Sequence, residues 1–203
     1  MARNIFLSAA TALLLAGSAL AQTAGTHNPA AIESGSYAVE PAHTQLGFTV
    51  VHFGFSNFSG RLSGASGNLT ISTSDPAASK LSVSVPATSF STPSEKLNGE
   101  LVGADWFDAE KFPTISFVST KVTKTGADSV TVAGDLTMHG VTKPVTLTAH
   151  LVGVGPNPFN KKLTVGFEAT GTVKRSDFGV TKYVPLISDE VTLTLSGAFE
   201  KQG

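Results

Sequence analysis

The stretch "VAGDLTMHGVTKPVTLTAHL", residues 132–151, decides the fold. Val132, Leu136 and Met138 fall on alternate positions, with small or polar residues between them. After the turn-like "HGVTKP" (139–144) the alternation resumes at Val145, Leu147 and Leu151. A two-residue period is that of a strand with one buried face. Two such strands about a short turn form a hairpin, and the apolar face of a hairpin has to be covered by something.

The same period runs through the chain on both sides. "HTQLGFTVVHFGF" (43–55) sets Leu46, Phe48, Val50 and His52 on one face, and "SKLSVSV" (79–85) does so with Leu81, Val83 and Val85. "TISFVST" (114–120) carries Ile115 and Phe117. "KLTVGFEATGTVKR" (162–175) carries Val165, Phe167, Ala169, Gly171 and Val173, and "DEVTLTLSGAFE" (189–200) carries Val191, Leu193, Leu195, Gly197 and Phe199. With a further strand in "GRLSGASGNLTIST" (60–73), about eight half-buried strands are expected. Turn-forming runs separate them: "TSDPAASK", "KTGADS", "VGPNPFNKK" and "VPLISD".

Helix is scarce. The one credible helical segment lies near residues 93–111, in "TPSEKLNGELVGADWFDAEKFP", interrupted by glycine and stopped by Pro113. One or two helical turns cannot cover eight strands, so the sheet must cover itself, as a two-sheet sandwich or as a closed barrel. An eight-stranded barrel either fills its interior or holds one small ligand. Inward positions such as Ser119, Gly134, Ala149, Ala169, Gly171 and Gly197 are small. They leave room for a guest, or they let strands bend and approach closely; periodicity supports both readings.

Composition narrows the function. The chain opens "MARNIFLSAATALLLAGSALAQ", one arginine ahead of a short apolar run and a small-residue "ALA", which predicts a cleavable signal peptide at 1–21. The apolar run is shorter than the roughly 18 residues that span a bilayer, so export without stable membrane insertion is expected. Residues 22–35 lack periodicity and are expected to be a flexible tether, leaving 36–203 as one domain. There is no cysteine, which excludes a disulfide scaffold in a periplasmic or secreted protein. Fourteen Lys and Arg against fifteen Asp and Glu form no basic stripe, which argues against nucleic acid.

Catalytic and metal chemistry find little support. No G-x-S-x-G elbow occurs, and His27, His43, His52, His139 and His150 never fall at ligand spacing, so no catalytic residue, no metal and no cofactor are expected. His27 and His139 read as solvated, His52 as inward-facing. Asp105, Asp108 and Glu110 read as a helix cap with two solvated carboxylates. Trp106 in that segment is placed to plug one mouth of a barrel. In "VKRSDFGVTKY" Arg175 either pairs with Asp177 to pin a turn or offers an anion-binding donor at the rim.

Four blocks in order, "YAVEPAHTQLGFTVVHFGFSNFSGRL", "LVGADWFDAEKFPTISFVST", "VAGDLTMHGVTKPVTLTAHLVG" and "GFEATGTVKRSDFGV…ISDEVTLTLSGAFE", resemble the YceI-like family of lipid- or polyisoprenoid-binding proteins. The resemblance covers about residues 36–200 and implies a lipocalin-like antiparallel barrel of about eight strands. It also implies a long apolar cavity for an isoprenoid or other long-chain amphiphile and periplasmic export; several members are homodimers, an assembly that the sequence neither requires nor excludes here. A charged, imidazole-bearing run typical of the family is here Leu97-Asn98-Gly99-Glu100-Leu101, so its contacts do not carry over. His43 and His52 match family positions. On this reading Phe48, Val50, His52, Val83, Ile115, Phe117, Leu136, Met138, Leu147, Phe167, Leu193 and Leu195 line the cavity, Trp106 sits near its mouth, and His43 and Arg175 form a polar rim.

Overall fold

The computed structural model describes residues 24–203. The leader expected at 1–21 lies outside the described residues. Ten strands form one sheet: β1 (Gly35–Val39), β2 (Gln45–His52), β3 (Ser56–Leu62), β4 (Ser66–Ile71), β5 (Lys80–Pro86), β6 (Thr114–Lys124), β7 (Ser129–Met138), β8 (Val141–Pro156), β9 (Leu163–Lys174) and β10 (Glu190–Lys201). One short helix, α1 (Glu95–Leu101), interrupts them between β5 and β6.

The sheet closes. Its antiparallel order runs β1-β4-β5-β6-β7-β8-β9-β10, and β1 returns to β10 through Tyr37↔Lys201, Ala38↔Glu200 and Val39↔Phe199. That pairing decides for a barrel over a sandwich. The hairpin of β2 and β3 extends the wall at one end: β2 pairs the first half of β10 (Thr192↔Thr49, Leu195↔Leu46), where β1 pairs the second half. Strands β1 and β2 are therefore two lengths of one stave, broken at Pro41, and β3 and β4 are two lengths of another. The expected single strand over 60–73 is split because Gly64 adopts φ 72° and Gly67 φ 136°, backbone that side-chain-bearing residues rarely take. Eight staves result, with the β2–β3 end wider than the β1–β4 end.

The alternation seen in the sequence is the alternation of the wall. Phe117, Leu136, Leu147, Val173 and Val191 face inward from five neighbouring strands. Three inward glycines sit beside large residues on the next strand, with Gly60 directly opposite Phe48 in register. A Cβ at Gly60 would collide with the Phe48 ring, one at Gly134 with the Phe117 ring, and one at Gly171 would come within 2.6 Å of Leu147 Cδ2. The glycines thus let rings and isobutyl groups lie flat along the wall.

At the narrower end Tyr37, Leu151, Val154, Val165 and Phe199 form a buried cluster, with Tyr37 donating its hydroxyl to Glu33 O at 2.7 Å. The segment expected as a flexible tether is, from Ala24, laid against this end. Thr26 exchanges two 2.9 Å backbone hydrogen bonds with Val154, and His27 Nε2 meets Asp128 at 2.9 Å. Strand β7 stops short of the last third of β8, and this segment pairs the backbone edge left free there. His139, expected in solvent, instead bonds Phe178 O at 2.9 Å and stands edge-on to Phe112, tying the β7–β8 turn to the loop after β9.

Candidate ligand-binding site

The inward faces do not mesh across the barrel. They enclose a cavity of about 650 Å³ at the wide end and a second of about 300 Å³ at the narrow end. Leu46, Leu81, Val83, Leu147 and Leu195 border both, so the two chambers meet at a waist of aliphatic side chains. Many inward residues are only half-buried, Phe48, Val50, Val83, Ile115, Leu193 and Leu195 among them, because the side away from the wall faces open space. A close-packed interior would leave those groups fully covered.

The large chamber is built from three sources. Strands supply Phe48, Val50, His52, Val83, Ile115, Phe117, Leu136, Met138, Leu147, Leu193 and Leu195, all of them expected from the alternation. Phe167, expected with them, lines the narrow chamber instead, where it meets Phe199 edge-on at 6.4 Å. The second source is the cap over the gap between β3 and β5. Ser94 caps α1 by accepting from Leu97 N at 3.3 Å, so the cap is not Asp105. Leu97 and Leu101, four residues apart and on one helix face, reach the cavity. Phe90 bridges wall and cap, 5.9 Å from Phe48 and 4.5 Å from Phe107.

The third source is the loop 175–189. Arg175 is only 4% exposed, and its guanidinium donates to four backbone carbonyls: Ser188, Val180, Lys182 and Ile187, at 2.8–2.9 Å. It is a hub that holds this loop in a tight arc, which corrects the expectation of an exposed rim donor. Burial pulls its pKa below the ordinary guanidinium value, and the charge of Asp189 opposes that shift. Asp189, not Asp177, is the carboxylate nearby. It accepts from Ser176 Oγ at 2.7 Å and Ser176 N at 2.8 Å, and these bonds hold its pKa below the usual carboxylate range. The arc puts Val180, Tyr183 and Ile187 on the cavity.

Trp106 is buried where cap and arc meet, 5.9 Å below the charges of both Arg175 and Lys182. It lines the large chamber. Asp105 does not face water alone: it holds Lys182 Nζ at 2.8 Å. His43 lines neither chamber. It lies exposed on the turn between β1 and β2, its Nδ1 2.6 Å from Glu40.

The ionisable side chains on the large chamber are His52, Glu100, Arg175 and Tyr183, all toward the wide end. The rest of the lining is overwhelmingly apolar. This is an arrangement for a molecule with a long greasy part and one polar terminus. Among the described residues, no three His, Asp or Glu side chains converge as a metal site would require, and no helix is long and apolar enough to cross a membrane. The lining residues that sequence reasoning missed are Phe53, Phe58 and Leu62 of the β2–β3 hairpin and Phe90, Leu97, Leu101, Val180, Tyr183 and Ile187 of cap and arc. Those of cap and arc have no periodicity, and the only available signal was their apolar character within turn-rich segments.

Residues 37–199 match the YceI-like domain. Protein YceI of Escherichia coli O157:H7 is 38% identical over 157 residues, spanning 77% of this chain and 81% of that protein. Among solved structures, the Campylobacter jejuni YceI protein superposes with a TM-score of 0.65 at 27% identity, covering 73% of this chain and 88% of the other. BcnA of Burkholderia cenocepacia gives 0.71 at 23% identity, covering 79% and 98%. A polyisoprenoid-binding domain from Saccharophagus degradans gives 0.62 at 16% identity, covering 82% and 98%. The last two share the fold.

Proposed function

The chain belongs to the YceI-like family, and from that membership we propose that it is an exported, non-catalytic binding protein that holds one long-chain amphiphile, a polyisoprenoid or isoprenoid quinone precursor, inside the barrel. The observation that carries the reading is the open apolar lumen of about 650 Å³ with its few ionisable groups gathered at one end. The polyisoprenoid-binding neighbour of the same fold names a chemical class that such a lumen fits.

Volume and energy agree on the size of the guest. A methylene needs about as much room as a water molecule, ~30 Å³, so the large chamber takes roughly twenty carbons and the small one about ten more. Burying twenty methylenes at roughly 0.8 kcal/mol each gives a gross gain well above 10 kcal/mol, before the cost of ordering guest and lining. No strong polar contact is required. The tail lies toward the leucine waist and the polar terminus toward His52, Glu100 and Tyr183. The leader at 1–21 directs the protein out of the cytoplasm, to the periplasm or beyond, where such a molecule has no free solubility.

Native mass spectrometry of the purified protein, followed by organic extraction, tests this. The expected result is a mass excess of one long-chain amphiphile per barrel, removed by solvent and restored by added polyprenol. A protein that carries no such mass and takes up no polyprenol after extraction overturns the proposal.

A further inference from the structure

Nine large hydrophobic side chains are exposed among the described residues, and six of them gather at one place: Val51, Phe53, Phe55, Tyr183, Val184 and Leu186. They come from two segments distant in sequence, the β2–β3 hairpin tip and the middle of the 175–189 arc. The two are joined by backbone hydrogen bonds of 2.9 Å from Phe53 N to Leu186 O and from Ser188 N to Val51 O. Ser188 Oγ also accepts from Val51 N at 3.0 Å. The apolar tips are thus held together as one surface.

That surface is continuous with the mouth. Phe53 and Tyr183 belong to the patch and to the lining of the large chamber at once, and His52 and Ile187 line the chamber directly behind them. Phe53 and Tyr183 take left-handed backbone angles, φ 51° and 62°, which cost a non-glycine residue on the order of 1 kcal/mol. Phe55, 89% exposed, and Leu186, 62% exposed, add almost nothing to the core. The fold gives no reason to hold apolar groups outward here.

Charge identifies the occupant. The segments "VVHFGFSNF" (50–58) and "YVPLIS" (183–188) contain no Lys, Arg, Asp or Glu. The adjacent Lys182 is neutralised by Asp105 at 2.8 Å, and Arg175 is buried. We propose that this rim inserts into the surface of a lipid bilayer and sets the cavity mouth against the acyl region, so that the guest passes between membrane and lumen without crossing water. The proposal rests on the amphiphile-binding reading above and adds the surface from which the guest is taken. With no basic cluster, insertion depends on apolar burial, so neutral lipid suffices and salt has little influence.

The test is flotation of the whole purified protein with neutral phosphatidylcholine vesicles, for wild type and a Phe55→Ser, Leu186→Ser double variant. Neither residue touches the cavity. Wild type is expected to float with the vesicles at low and high salt alike, and the variant to lose tenfold or more of its partitioning. Its circular dichroism and its uptake of detergent-dispersed polyprenol should be unchanged. Wild type that stays behind, a variant that floats equally well, or binding that requires anionic lipid overturns the proposal. So does a variant that turns a dimer into a monomer with flotation unaltered, since the patch would then be covered by a second copy. Loss of polyprenol uptake by wild type itself would instead refute the binding role.

Discussion

The two ends of the lumen are made from the same eight staves and differ in what closes them. At the narrow end β1 and β4 complete the ring, Tyr37, Leu151 and Val165 meet almost without exposure, and the space left is about 300 Å³. At the wide end β3 does not reach β5 by regular pairing, the gap is crossed by the Arg61–Ser91 bridge and the Ser63 N bond to Ser89 Oγ, and a cap and an arc take over. The space there is about 650 Å³. The regularly closed wall keeps only the smaller space. The larger volume lies where regular strand closure is given up and irregular segments, each with its own polar anchor, hold the wall apart.

The first way to break this contrast is to remove the anchor. Arg175→Leu leaves the carbonyls of Val180, Lys182, Ile187 and Ser188 without their buried donor, at a cost on the order of 3 kcal/mol. Denaturant melts should show that loss, and hydrogen exchange should locate it in the 175–189 arc while β8 and β9 near Val154 and Val165 stay protected. Next is the wall. Gly134→Val forces the Phe117 ring off its flat position and crowds Val118 O, costing about 1–3 kcal/mol in stability. The ring then swings into the large chamber, and polyprenol uptake should fall with it.

The waist sharpens the contrast without touching either end. Leu147→Trp places a larger ring where both chambers meet; a tenfold loss of affinity, about 1.4 kcal/mol, is expected for chains long enough to need both. Guests short enough for the large chamber should bind nearly as before, which competition with a graded series of prenols will read. The smallest effect concerns pH. Asp189 has its pKa depressed, first by the Ser176 hydroxyl, so its stabilisation is full above the ordinary carboxylate value, near 3.9, and is lost as pH falls through the lower folded value. Asp189→Asn should cost about 1 kcal/mol at neutral pH, and thermal melts of variant and wild type should converge in acid.

How much of this was legible beforehand follows from what a period of two can encode. Alternation gives the face of a strand, so Phe48, Leu136, Met138 and Leu193 were readable as inward. It does not give height along the barrel, which is why Phe167, on the correct face, lies in the other chamber. Register fixes height, and register depends on pairings such as Leu151↔Phe167 that join distant segments. The cap and arc were illegible for the same reason: nothing local in "VKRSDFGV" shows that Arg175 will bond carbonyls up to thirteen residues ahead. The small inward glycines supported two readings, and both hold in part. They let neighbouring side chains approach closely, and by flattening those side chains they keep the lumen open. His43, offered as a rim residue by resemblance alone, lies on the turn between β1 and β2, where strand alternation says nothing about a side chain's direction.

The chain contains one tryptophan, Trp106, and it lines the large chamber. Titrating solvent-extracted protein with an isoprenoid quinone while following Trp106 emission therefore tests occupancy of the lumen itself. Saturable quenching at one quinone per barrel, abolished by prior loading with an unlabelled polyprenol, is the predicted result. Emission that stays constant through the titration, or declines linearly without saturation and regardless of polyprenol, would contradict an enclosed amphiphile site.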